Sequence, residues 1–174
     1  MEHSLGYLPL AVATNPPPDL AFVPVSGKPR TIRELLTTFH LLLVAVDPAN
    51  VRSKWIVPPA ARTLFEYEQA DCRVGWLVAG DASDARKLLG RWAKDITTFV
   101  DPELTAIKGL GLEKLPAIVH VSQTLEIVSA VEGWDPPAWR ELTKELSRRM
   151  QWSRPHIPAP GDPGPFEGAP LPRL

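Results

Sequence analysis

Two apolar runs rich in β-branched residues, Pro116 to Val121 and Leu125 to Val131, flank the polar triplet Ser122, Gln123 and Thr124. That pattern predicts an antiparallel hairpin. Leu41 to Val46 is apolar without a break, which predicts a central strand buried on both faces and ended by Asp47-Pro48. Cys72 to Ala79 reads as a second central strand, and Thr97 to Val100 as a short third. Between the strands the period changes to that of helices. After a loop from Ala49 to Val57, a helix is predicted from Pro58 or Pro59 to about Ala70, with Ala61, Leu64, Phe65 and Glu68 at helical spacing. Another is predicted from an Asp81 or Ser83 cap to about Lys94, with Ala85, Leu88, Leu89 and Trp92 on one stripe. Asp101-Pro102 opens a short helix to about Leu110, closed by Gly109 and Gly111. The last helix is capped by Asp135, takes Pro136 and Pro137 into its first turn, and carries the stripe Trp139, Leu142, Leu146 and Met150. Arg140, Glu141, Lys144, Glu145, Arg148 and Arg149 form its wet face.

The ends differ from this middle. Residues 1–18 finish in Pro16-Pro17-Pro18, which neither form helix nor donate to a strand ladder, and are read as an N-terminal arm. Two short extended segments around Ser26-Gly27-Lys28 follow, then Thr31 as the N-cap of a helix over Ile32 to Thr38. Beyond Trp152 proline and glycine are too dense for a packed core, so residues 153–174 are read as an extended tail, largely polyproline II where ordered, that is either a disordered terminus or docks Ile157, Phe166 and Leu171 on a partner. One domain over residues 19–152 remains, as suits a chain of 174 residues.

A formal net charge of -1 offers no basic field for phosphates, so nucleic acid is not an expected partner. The start has no basic segment followed by a long apolar run, and no later run approaches the ~18 apolar residues that suggest a membrane span. The expected compartment is the cytoplasm. A single cysteine, Cys72, excludes an intrachain disulfide and any CxxC pair, and suits a reducing environment. His3, His40, His120 and His156 show no ligand spacing, so neither a metal nor a cofactor is expected. Lys108-Gly109-Leu110-Gly111-Leu112 is a helix terminator rather than a phosphate loop, and Ser53-Lys54 reads as a solvated pair in a loop rather than a nucleophile with its base.

Three segments, SGKPRTIRELL, TFVDPELTAIKGLGLEKLPAIVHV and EGWDPPAWRELTKEL, stand in an order and spacing that resembles the thioredoxin-like superfamily, and most closely its thiol-disulfide-carrier and peroxiredoxin-like branch. The resemblance covers roughly Pro18 to Met150. It implies a three-layer α/β/α sandwich with a central mixed sheet, and a cis proline at Pro116 facing the site where redox members keep two cysteines. Counted back from Pro59, those two positions hold Val51 and Lys54. The strand position six residues before Val51, often a buried acid in such proteins, is Ala45. No catalytic residue is therefore carried over. The resemblance further implies a groove that binds an extended polypeptide, lined here by Val51, Lys54, Trp55, Leu115, Pro116 and Gly133-Trp134. Trp55 and Trp134 either anchor a partner on an exposed apolar patch or lid the core.

The expected function is a non-catalytic protein-binding or assembly module with a protein partner. Two alternatives stay open. One is a peroxidase or thiol reductase that uses Cys72. The other is a structural subunit of a larger complex, clamped by the arm and the tail, and a homo-oligomer fits either binding role.

Overall fold

The strand β3, His40–Val46, has six of its seven residues buried, and the rest of the chain is layered on it. The computed structural model describes residues 15–174; the greater part of the expected N-terminal arm lies outside the described residues. The strands β1 (Ala21–Pro24), β2 (Arg30–Thr31), β4 (Cys72–Val78), β5 (Thr98–Val100), β7 (Ala117–Val121) and β8 (Ile127–Glu132) join β3 in one sheet ordered β2-β1-β5-β4-β3-β7-β8. The pairs β3 with β4 and β4 with β5 are parallel, while β7 runs antiparallel to both β3 and β8. The central sheet is therefore mixed. A separate two-stranded piece joins β6 (Lys114–Leu115) to β9 (Ala169–Pro170).

Alternation along β3 divides the core in two. Leu42, Val44 and Val46 pack with Ile56, Ala60 and Leu64 of helix α2 (Val51–Glu66), with Ala85 and Leu89 of α3 (Ala82–Leu89), and with Trp139, Leu142 and Leu146 of α6 (Pro136–Met150). Leu41, Leu43 and Ala45 pack on the other face with Ile32 and Leu35 of α1 (Ile32–Leu35) and with Ala106 and Ile107 of α5 (Thr105–Gly109). Helices thus cover both faces, and each aliphatic side chain taken out of water contributes roughly 1.5 to 3 kcal/mol.

Local chemistry sets most boundaries. Thr31 and Glu34 form a capping box at α1, but the helix ends at Leu35, short of the Thr38 expected. Asp81 and Asp84 form another at α3. The single helix expected as far as Lys94 is broken at Gly90, whose φ of 57° only glycine adopts easily, and resumes as α4 (Trp92–Asp95). The buried Asp101 accepts hydrogen bonds from the Ala106 and Ile107 N–H groups, which starts α5. In the hairpin, Leu125 has φ 68° and belongs to the turn rather than to β8.

The largest departure from the sequence reading is α2. It begins at Val51 rather than at Pro58, so residues 51–57 are helix and not loop. Asn50 caps it, accepting from the Arg52 N–H at 2.9 Å. Pro58 and Pro59 lie in its interior, where they leave the Lys54 and Trp55 carbonyls without an intrahelical donor. Phe65, expected on the apolar side, is instead exposed.

Candidate functional site

Where β3 ends, Asp47-Pro48 turns the chain and Asn50 opens α2, so the helix N-terminus stands at the carboxyl end of the central strands. Ser53, read from sequence as a solvated loop residue, is fully buried and accepts the Asp47 N–H at 2.8 Å, fixing this turn from inside. The Leu115-Pro116 peptide is cis. The Asn50 Nδ2 donates to the Leu115 carbonyl at 3.3 Å, so one side chain both caps α2 and holds it against the proline loop. From the other side, Gly133 N–H donates to the Pro116 carbonyl at 2.7 Å, and the Glu132 carboxylate accepts the Glu113 and Lys114 N–H groups. Three elements therefore meet at Pro116: the start of α2, β6, and the turn after β8.

Of the groove residues expected from sequence, Val51, Lys54 and Trp55 are exposed on the first turns of α2, and Leu115 and Pro116 are buried beside them. Trp134 is not an exposed anchor. It is fully buried, edge-to-face with Trp139, and its Nε1 donates to the Pro163 carbonyl at 2.9 Å. Of the two tryptophans only Trp55, 49% exposed, still presents a surface.

What covers Trp134 is the tail. Residues 153–174, read from sequence as an extended tail, pack against the domain, with bends and turns over 157–161 and a short strand at Ala169–Pro170. Ile157 enters the core next to α2 and α6, and Arg62 grips Asp162 through two nitrogens at 2.9 and 2.7 Å. Phe166 and Trp134 exchange backbone hydrogen bonds of 2.8 and 3.0 Å, and the Phe166 ring meets the edge of Trp55 at 5.7 Å between centroids. The tail then pairs with the proline loop, Lys114 opposite Pro170 and Leu115 opposite Ala169, and the Leu171 N–H reaches the Glu113 carbonyl at 3.2 Å. The composition of the tail rules out a core of its own; it borrows one.

Cys72 stands at the other end of the sheet, paired in register with His40 at the start of β3. Seven residues at ~3.3 Å per residue put it about 20 Å from the start of α2. A cleft of about 1140 Å³ opens there, rich in the cations Arg30, Arg73, Arg86 and Arg91. The thiol itself is buried, and desolvation pushes its pKa up to about 12. Near it, on the same face of the sheet, His120 Nε2 lies 2.9 Å from His40 Nδ1. Among the described residues no group of three or more His, Cys, Asp or Glu side chains has the arrangement of a metal site.

This architecture is shared with solved structures. The thioredoxin domain of a thiol-disulfide oxidoreductase from Bacteroides vulgatus aligns with a TM-score of 0.62 at 10% identity, covering 80% of this chain and 99% of that one. The fold is thioredoxin-like. A secreted disulfide oxidoreductase of Mycobacterium tuberculosis aligns at 0.56 with 15% identity over 76% and 95% of the two chains. Peroxiredoxin Q of Xanthomonas campestris aligns at 0.55 with 11% identity over 66% and 80%. No family model and no curated protein matches the chain. Sequence reasoning missed Asn50, and it missed Gly168, where a Cβ would stand 3.0 Å from the Lys114 Cβ as the tail passes the proline loop. The signal for Asn50 was present, an Asn two residues after a proline turn, but Pro58-Pro59 drew the helix start past it. Gly168 lay in a segment with no periodicity to read.

Proposed function

We propose that this chain is a thioredoxin-like domain without thiol chemistry that binds an extended polypeptide in the groove beside Pro116. One observation carries the reading. The start of α2 stands against the proline loop but presents Val51 and Lys54, while the backbone of Lys114 and Leu115 pairs with an extended segment, Ala169–Pro170. A surface that recognises main chain needs no cysteine, because strand addition derives its affinity from backbone hydrogen bonds. The cytoplasm, where a lone thiol stays reduced, is part of the same proposal.

The competing reading, a one-cysteine peroxidase or reductase, requires a thiolate. Burial pushes the Cys72 pKa up to about 12 and keeps the thiol protonated near neutral pH, whereas reactive cysteines sit well below about 8.5 in electropositive, accessible places. Purified protein should reduce neither insulin disulfides nor hydrogen peroxide above the buffer rate, and Cys72→Ala should match the wild type. Turnover that disappears in Cys72→Ala would reinstate the enzyme. For the binding role, a photo-crosslinking residue in place of Trp55 should trap a polypeptide that the same group in place of Lys87, exposed on α3, does not. Equal trapping at both positions would remove the groove from the proposal.

A further inference from the structure

The tail divides into two halves held by different means. Residues 153–163 are fastened by side chains and by the core: Ile157 is 5% exposed, Arg62 clasps Asp162 and donates to the His156 carbonyl, and Arg140 donates to the Ile157 carbonyl. This half is a fixed part of the domain. Residues 164–171 are held chiefly through their backbone: the Phe166 exchange with Trp134, the pairing of Ala169–Pro170 with β6, the Leu171 N–H to Glu113, and the Glu167 carbonyl receiving Arg52 at 2.9 Å. Those contacts are open to any extended chain laid in the same register.

Two glycines restrict which chain that can be. A Cβ on Gly168 would stand 3.0 Å from the Lys114 Cβ and 3.3 Å from the Gly133 and Leu115 nitrogens. A Cβ on Gly133, at φ +85°, would stand 2.7 Å from the Phe166 carbonyl oxygen and 2.8 Å from the Gly168 nitrogen. Main chain touches main chain here, and no side chain fits between. Two residues upstream, Phe166 packs its ring on Trp55; two residues downstream, Pro170 has no N–H that would need an acceptor, and Leu171 rests on the core.

We infer that residues 164–171 are a tethered ligand of the groove, and that its external partner is an extended segment of the same chemistry: an aromatic residue, any residue, glycine, alanine, proline, then an aliphatic residue. The inference rests on the polypeptide-binding reading above and adds to it the sequence class of the partner and its regulation. A covalently attached strap acts at an effective concentration of about millimolar. An outside segment therefore gains the groove only when it binds better than the strap or when the strap is loosened.

The test uses the full chain and a fluorescent peptide of residues 164–174. The wild-type chain should bind the peptide weakly. Gly168→Val in the chain should loosen its own strap and tighten peptide binding at least tenfold in fluorescence anisotropy, whereas a peptide carrying the same substitution should bind neither chain. Phe166→Ala in the chain is the second strap variant should Gly168→Val fail the circular dichroism check of its fold. Folded strap variants that ignore the peptide, or that accept the valine peptide equally, would overturn the inference while leaving the Trp55 trapping result untouched. A wild-type dimer that the peptide dissociates would assign the groove to the strap of a second copy and overturn the external partner.

Discussion

His120 lies fully buried on β7, with Nε2 against His40 and no partner for Nδ1 among the described residues. A second proton would bury an N–H with nothing to accept it. Burial first, then the neighbouring His40 and Arg149, pushes its pKa down to about 3 against a weaker pull from Glu145. An unfolded histidine titrates near 6.5, so between these values the unfolded chain holds the extra proton. The sign follows from that. The contribution of His120 to stability is fully present above about pH 6.5 and is lost as pH falls toward 3, with a limiting slope of about 1.4 kcal/mol per pH unit for one proton. The midpoint of thermal unfolding should thus drop between pH 6.5 and 4.5, and His120→Leu should flatten that drop. An equal slope in the variant would place the acid sensitivity in other groups. At this scale the sequence was only partly legible. Cys72 could be recognised as a small buried side chain from its place in an apolar strand. The contact between His40 and His120 joins residues far apart in the chain, and it exists only once β3 and β7 pair.

Helix α2 opens with Val51 and Lys54, the two positions that the resemblance to redox members of the superfamily assigns to cysteines. An α-helix N-terminus carries about half a positive charge and stabilises an anion on its first turn. Val51→Cys together with Lys54→Cys should therefore yield a thiol at position 51 that titrates well below the ordinary value of about 8.5, measurable by the pH dependence of iodoacetamide alkylation. The same double variant should reduce insulin above the wild-type baseline, and more so when Phe166→Ala loosens the strap. A thiol at position 51 that titrates normally would show that the helix end does not act on it. The strands and α6 were readable because apolar runs and caps are local signals: Leu41 to Val46 needs no neighbour to be recognised as a buried strand. The start of α2 was not, because proline is most often a first-turn residue. Here Pro59 is buried and Pro58 tolerated, and packing of Ile56, Ala60 and Leu64 outweighs two missing hydrogen bonds.

Across the whole molecule, the tail joins α2, α6 and the proline loop into one surface. Asp162 shows how firmly. Burial would raise its pKa, but the Arg62 guanidinium and the Ala159 N–H outweigh it and hold the carboxyl below its usual value. Arg62→Ala would strand that carboxylate at a cost of about 1 to 3 kcal/mol, which for a chain of this size lowers the melting midpoint by roughly 2 to 4 °C per kcal/mol. Limited proteolysis should then cut faster within residues 153–174, while an unchanged cleavage rate would mean that Ile157 alone fastens the tail. Composition could not reveal this docking, since a proline-rich segment signals only that it builds no core by itself; the grip of Arg62 on Asp162 spans a hundred residues of chain. The prolines of the strap have one more effect. A two-stranded piece such as β6 with β9 would ordinarily offer its outer edge to a third strand, and repeated addition of that kind is how soluble chains become fibrils. Pro165, Pro170 and Pro172 supply no N–H along that edge, so the strap that fills the groove also ends the ladder, and assembly stops after one strand has been added.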